Sequence, residues 1–157
     1  MHRHIHILPL VLLILVACGQ RQMGSEPKPV ERPADHPRSS LELRAFVDAE
    51  APGAEVVDVD GEAVYLAETV VTEEDIVEVG IGRDHFDSPY IEVELTEAAG
   101  GRFAAYTRQY MGQEIAIVVD GQVVARPKIE VELRSKFVIH ASLVEDEVIQ
   151  IAMGIAP

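Results

Sequence analysis

Few groups in this chain have the types and spacing that chemistry needs. "RDHFD", Arg83 to Asp87, puts Asp84, His85 and Asp87 into one short stretch. These are metal-ligating residue types, but no further ligand completes a set by spacing, so a solvated loop is expected. "DVDGE", Asp58 to Glu62, opens like a calcium loop yet lacks the distal bidentate glutamate, and reads as a turn at Asp60-Gly61. None of Ser25, Ser39, Ser40, Ser88, Ser135 and Ser142 sits in a G-x-S-x-G elbow. "GIG", Gly80 to Gly82, lacks the third glycine and the following helix of a phosphate cradle. His140 falls at the end of a strand pattern, and Tyr106 and Tyr110 fall at helical spacing; structural roles are expected for all three. No catalytic residue, metal site or cofactor is assigned, and the expectation is a protein that binds and does not catalyse. One nucleophile remains, the thiol of Cys18.

Cys18 is the single cysteine, so it has no internal disulfide partner. It ends "MHRHIHILPLVLLILVAC", in which Arg3 precedes an apolar run from Ile7 to Ala17. Eleven residues are too few to cross a bilayer, which takes about 20, but they suit the apolar region of a signal peptide. "LVACG", with Leu15, Val16 and Ala17 before the cysteine, resembles the lipobox of bacterial lipoproteins. The resemblance implies acylation of Cys18 and removal of residues 1–17. Two or more acyl chains hold a protein stably at a bilayer. The expected partner is therefore a membrane, through a lipid anchor and without a span.

Residues 18–40 contain Pro27, Pro29, Pro33 and Pro37 and few apolar side chains, and are expected to be a disordered, extended linker. Residues 41–157 then form one domain. The charge divides at the same boundary. The chain carries −14 overall, but residues 41–157 hold 8 Lys and Arg against 24 Asp and Glu. Such a surface excludes nucleic acid as a partner. Hydrophobic residues make up 48%, aromatics only 5%, and Trp is absent, so the core must be aliphatic.

The elements that position these residues follow from periodicity. "LELRAFV" alternates as a half-buried strand, and "EVVDV" and "EAVYL" flank the Asp60-Gly61 turn. Thr72 and Asp75 give a weak helix start, and "DIVEVGIG" a short strand. In "YIEVEL", Ile91, Val93 and Leu95 face one way and Glu92 and Glu94 the other. Thr96 is placed to cap a helix over "EAAGGRFAAYTRQYMG", with Ala99, Phe103, Tyr106 and Tyr110 on one face and Gly112 at its end. Gly100 and Gly101 weaken that helix and are expected to let it approach the sheet. "EIAIVVDGQVVA" is a hairpin about Asp120-Gly121, pairing Val119 with Gln122, Val118 with Val123 and Ile117 with Val124. Pro127 interrupts its second strand. "KIEVELR" alternates with Ile129, Val131 and Leu133 inward, and "KFVIH" is a last strand. Ser142 and Glu145 have capping-box spacing before a closing helix striped by Val144, Val148, Ile151 and Ile155. The fold class expected is α+β: a mostly antiparallel sheet with two helices packed on one face.

"LTEAAGGRFAAYTRQYMGQEIAIVVDGQVVARPKI" resembles the head subdomain of the first extracytoplasmic region of the protein-export factor SecD, or fused SecDF. That family shows "EGAKRFAxxTxxNxGxxLAIVLDGxVxSAPxI". Leu95, Gly101, Phe103, Thr107, Gly112, Ala116, Ile117, Val118, Asp120, Gly121, Val123, Pro127 and Ile129 match it. Weaker likeness extends to "LELR" and "VVTEEDI" upstream and to "VIHASLVEDEVIQIA" downstream. Three departures stand out. "EVELRSKF" occupies the place of a glycine-rich loop, Val144 replaces a threonine, and the membrane helices with their proton-carrying acids have no counterpart here. The resemblance implies a single head on a lipid tether. Its partners would be components of the Sec translocase or unfolded polypeptide, outside the cytoplasmic membrane. The alternative is an envelope structural or interaction lipoprotein unrelated to export. Glu92, Glu94, Glu130 and Glu132, alternating outward on two strands, are expected to form one acidic sheet face that attracts cationic polypeptide weakly and salt-sensitively.

Overall fold

A computed structural model describes the chain over Ile14–Leu15 and residues 25–59, 61–140 and 144–157. The expected cleavage site with Cys18, Asp60 of the first turn, and Ser142 of the expected capping box lie outside the described residues. In chain order the elements are β1 (Ile14–Leu15), β2 (Lys28–Pro29), β3 (Leu41–Val47), β4 (Glu55–Val59), β5 (Glu62–Leu66), β6 (Val71–Thr72), a 3-10 turn (Glu73–Asp75), β7 (Ile76–Arg83) and β8 (Pro89–Leu95). There follow α1 (Glu97–Gln109), β9 (Ile115–Val119), β10 (Gln122–Ala125), β11 (Lys128–Ile129), β12 (Lys136–Ile139) and α2 (Glu145–Ile155).

The fold is α+β with mostly antiparallel pairing, as the periodicity requires, but the strands divide between two main sheets. One runs β10-β9-β3-β5-β4 with β6 also on β3; the other runs β12-β8-β7-β2. β1 and β11 form a short parallel pair. In the second sheet Val79 pairs with Val93 and Phe137 pairs with Val93, so these side chains share a face with Ile91, Leu95 and Ile139. Both helices cover that face. Phe103 of α1 stacks on Phe137 at 5.2 Å between centroids, and Val148, Ala152 and Ile155 of α2 join the same core. Each such large apolar side chain stabilises the domain by about 1.5–3 kcal/mol on burial.

In the sheet that contains it, β9 is buried on both of its faces. Ile115, Ile117 and Val119 belong to the main core. Ala116 and Val118 point the other way, into a second cluster with Leu66 and the partly exposed Phe46, Val57 and Val123. The hairpin about Asp120-Gly121 has the expected two-residue turn, with φ of 50° and 77°. Its first two pairs are as expected, but the third is Ile117 with Ala125 instead of Val124. A bulge at Val123–Ala125 absorbs the extra residue before Pro127, which has no N–H to continue the ladder.

Four further expectations are corrected. From Ser25 onward the segment read as a disordered linker is an ordered strap. Ser25 N–H donates to Arg83 O at 3.1 Å, Val30 N–H to Val79 O at 2.8 Å and Ser39 N–H to Gly154 O at 2.9 Å. β2 thereby covers the outer edge of β7, and Val30 packs on the core. Composition misled because backbone groups, present whatever the side chains, do most of the holding, and proline is tolerated on an edge strand. The alternation of "KIEVELR" stops at Ile129: Val131 is exposed although Leu133 is fully buried. Val144 is an exposed N-cap and not part of the α2 stripe, since α2 starts only at Glu145. Valine has no acceptor, so only the return half of a capping box exists, Val144 N–H donating to Glu147 at 3.1 Å. Finally, Gly100 meets the Ser135 backbone as a close-approach glycine should, but Gly101 faces open space.

Candidate functional site

Most residues matching the family pattern have structural work, Gly101 in open space being an exception. Phe103 is fully buried against Phe137. Thr107, also fully buried, accepts from Leu133 N–H at 3.0 Å and donates to Phe103 O at 2.9 Å, which ties α1 to the loop before β12. Gly112, at φ 84°, donates its N–H to Ile129 O at 2.8 Å and so turns the chain out of α1. Pro127 accepts from Ile115 N–H at 2.9 Å. Asp120 does more than turn: its Oδ1 accepts from Ser40 N–H at 2.9 Å, so the hairpin tip grips the C-terminal end of the strap.

The four glutamates do not make one acidic face. Glu92 and Glu94 lie on the side of β8 away from the helices, where Lys136 of β12 reaches both, at 3.4 and 3.0 Å. The hydrogen bond to Glu94, before the other contributions, raises the Lys136 ammonium above its ordinary range. Glu132 lies past the end of β11, where Arg108 of α1 grips it at 2.7 Å and Arg134 at 2.8 Å. The Arg108 hydrogen bond chiefly holds its carboxyl below the usual range. Glu130 is exposed between β11 and Glu132. Alternation along a sequence implies a shared face only while the strand continues, and this strand ends after two residues.

Asp84 Oδ1 accepts from Phe86 N–H at 2.8 Å and from Ser88 N–H at 2.9 Å, shaping the β7–β8 turn. Asp87 pairs with Arg83 at 3.6 Å. Among the described residues no group of three or more His, Cys, Asp and Glu is placed to hold a metal. His140 stacks against Tyr90 at 5.4 Å, and desolvation pushes its pKa down, with Asp84 opposing. Burial pushes the Tyr106 phenol up to about 12, so it stays protonated.

The surface feature that alternation alone does not single out is around Phe46. β3 buries Leu41, Leu43 and Ala45, and Phe46 falls on the opposite, polar phase. An aromatic on the wet phase of a strand was the available signal. Phe46 lines an open depression of about 400 Å³ with Val47, Asp48, Ala51 and Gln113. Arg126 lies over its ring at 4.3 Å and is itself paired with Glu114 at 3.1 Å. Below, the buried guanidinium of Arg44 donates to Ala67 O at 2.7 Å and pairs with Glu55 at 2.8 Å, which fixes β3 against the β4–β5 hairpin. The lining mixes apolar and polar side chains, Phe46, Val47 and Ala51 beside Asp48 and Gln113.

Fold and surface together define a small α+β module of the helix-covered antiparallel kind, with an open depression at Phe46 on the sheet that contains β3. The family model for "SecDF, P1 head subdomain" matches residues 50–156, well over half the chain, and the protein belongs to that family. The match leaves out Leu41–Val47 and with it Phe46. The chain is similar to the protein translocase subunit SecD of Aquifex aeolicus (strain VF5), 27% identical over 128 residues, covering 73% of this chain and 26% of that protein. It thus spans about a quarter of that relative. Solved structures share the fold. A membrane component SecDF that enhances protein export aligns with TM-score 0.61 at 20% identity, covering 76% of this chain and 63% of that one. SecDF in a super-membrane-facing form aligns with TM-score 0.59 at 22% identity, over 76% and 19% of the two chains. No helix among the described residues is long and apolar enough to cross a membrane.

Proposed function

We propose that the protein is a membrane-tethered SecD-type head that assists protein export by contacting polypeptide, or a partner in the translocase, outside the cytoplasmic membrane. The family match over residues 50–156 is the observation that supports this most directly. The tether is Cys18, its thiol acylated before residues 1–17 are removed. The contact surface is the depression at Phe46. Phe46 packs with Val57 and Val123 against one small apolar cluster, and Asp48 in the lining suits basic residues flanking an apolar segment. Such contact is weak and fast, because an open surface of this size buries little area and rim charges are screened within about 8 Å at physiological salt.

The test is a photocrosslinking side chain at position 46 in cells carrying a stalled secretory polypeptide. Adducts with that polypeptide or with a translocase subunit are expected at position 46 and not at position 130. Absence of both adducts rules out this surface. Mass spectrometry of the mature protein tests the tether independently, by an acylated N-terminal Cys18.

A further inference from the structure

The β7–β8 turn carries the most exposed aromatic among the described residues. Phe86 is 77% exposed at its tip. The turn is tightly built: Asp84 accepts from two of its N–H groups, Asp87 N–H donates to Asp84 O at 3.0 Å, and Asp87 adopts φ 65°. His85 stacks on the Phe86 ring at 3.8 Å. The carboxylates beside the ring are occupied, Asp84 by the turn and Asp87 by Arg83. Arg83 also pairs with Glu145 at the start of α2, beside Val144, which is 65% exposed. One end of the domain therefore presents two exposed apolar side chains beside carboxylates that are turn-bonded, as Asp84 is, or ion-paired, as Asp87 and Glu145 are.

The chain enters the domain at this same end. Ser25 N–H donates to Arg83 O, and Arg83 N–H donates to Ser25 Oγ, each at 3.1 Å. Seven residues separate Ser25 from Cys18, a reach of about 25 Å at full extension. The ordered strap removes the long spacer that residues 25–40 would otherwise supply. An anchor at Cys18 thus keeps this end of the domain within reach of the bilayer surface.

We propose that the Phe86 turn, with Val144 beside it, is a membrane-interface contact that sets the orientation of the head on the bilayer. The proposal rests on the tethered reading above. The occupant is the headgroup–acyl boundary, where aromatic side chains partition favourably. Because the domain is strongly acidic, contact is with zwitterionic lipid and is opposed by anionic lipid.

The chain has no Trp, so Phe86→Trp introduces a single reporter, and Val56→Trp, at a 60% exposed valine on the β4–β5 hairpin, supplies the comparison. Each full-length mature protein is reconstituted into phosphatidylcholine vesicles with and without acyl-brominated lipid. The expected result is flotation of both variants, with a blue shift and at least twofold bromine quenching for Phe86→Trp alone. Flotation with an unquenched Phe86→Trp indole overturns the interface contact and leaves the tether standing. Equal quenching of both variants also overturns it, since the head would then have no preferred orientation. Failure to float overturns both. A Phe86→Trp indole that is unquenched on vesicles yet shifts on adding an unfolded polypeptide assigns the turn to polypeptide and overturns the membrane contact.

Discussion

Tyr90 lies across Gly82. The two residues pair directly between β7 and β8, and a Cβ placed on Gly82 would sit 2.3 Å from the Tyr90 ring and hydroxyl oxygen. Tyr90 is 1% exposed, and its ring rests against His140, so it has no free space to move into. Its hydroxyl donates to Ser25 O at 3.3 Å, which ties the pair to the start of the strap. Gly82→Ala is expected to destabilise the domain by about 1–3 kcal/mol through overpacking. A urea midpoint equal to that of wild type would contradict this packing.

Gly100 and Gly101 are neighbours in α1 with opposite surroundings. A Cβ on Gly100 would meet Ser135 Cα at 2.8 Å, whereas one on Gly101 would meet nothing within 4 Å. Gly101→Ala is expected to stabilise by up to about 1 kcal/mol, the ordinary helix-interior gain. Gly100→Ala is expected to lose more than that gain, because the obstacle is backbone. Thermal melts of the two variants should move in opposite directions; a shared direction refutes the assignment.

The strap can be tested through Gly154. A Cβ there would meet Ser39 Cβ at 2.9 Å and Oγ at 2.5 Å. If the strap is in place, Gly154→Ala destabilises by about 1 kcal/mol; if residues 25–40 were detached, the same change would stabilise α2. Combining it with Ser39→Gly should recover most of the loss, a coupling that a double-mutant cycle reads directly. Amide exchange at Val30 and Ser39 should accelerate in the single variant.

His140 makes the domain acid-sensitive. Burial lowers its folded-state pKa below the ordinary 6.5, with Asp84 opposing. The neutral form is therefore favoured in the fold. The contribution is fully present above about pH 6.5 and is lost as pH falls through the lower folded value. Stability measured from pH 7.5 to 5 should decline for wild type and be flatter for His140→Gln. Equal slopes would show that other groups set the acid limit.

The local patterns of the chain were enough to locate most of the strands, both helices, the Asp120-Gly121 turn and the family, because these follow from period, capping and turn chemistry within a few residues. Thr96 caps α1 as its type requires, its side chain accepting from Ala99 N–H at 3.3 Å. Ile91, Val93 and Leu95 are inside because alternation holds from Ile91 to the end of β8. Only the tertiary structure decided what depends on partners far along the chain. Residues 25–40 look like a linker until the open edge of β7 offers them hydrogen bonds. Glu92 and Glu132 look like members of one face until Lys136 and Arg108 draw them to different places. Phe46 looks like a break in alternation until the second face of β9 gives it a cluster to border. In each case the deciding interaction joins residues that no local window contains, since a strand's edge, its end and its second face are satisfied by whatever the fold brings beside them.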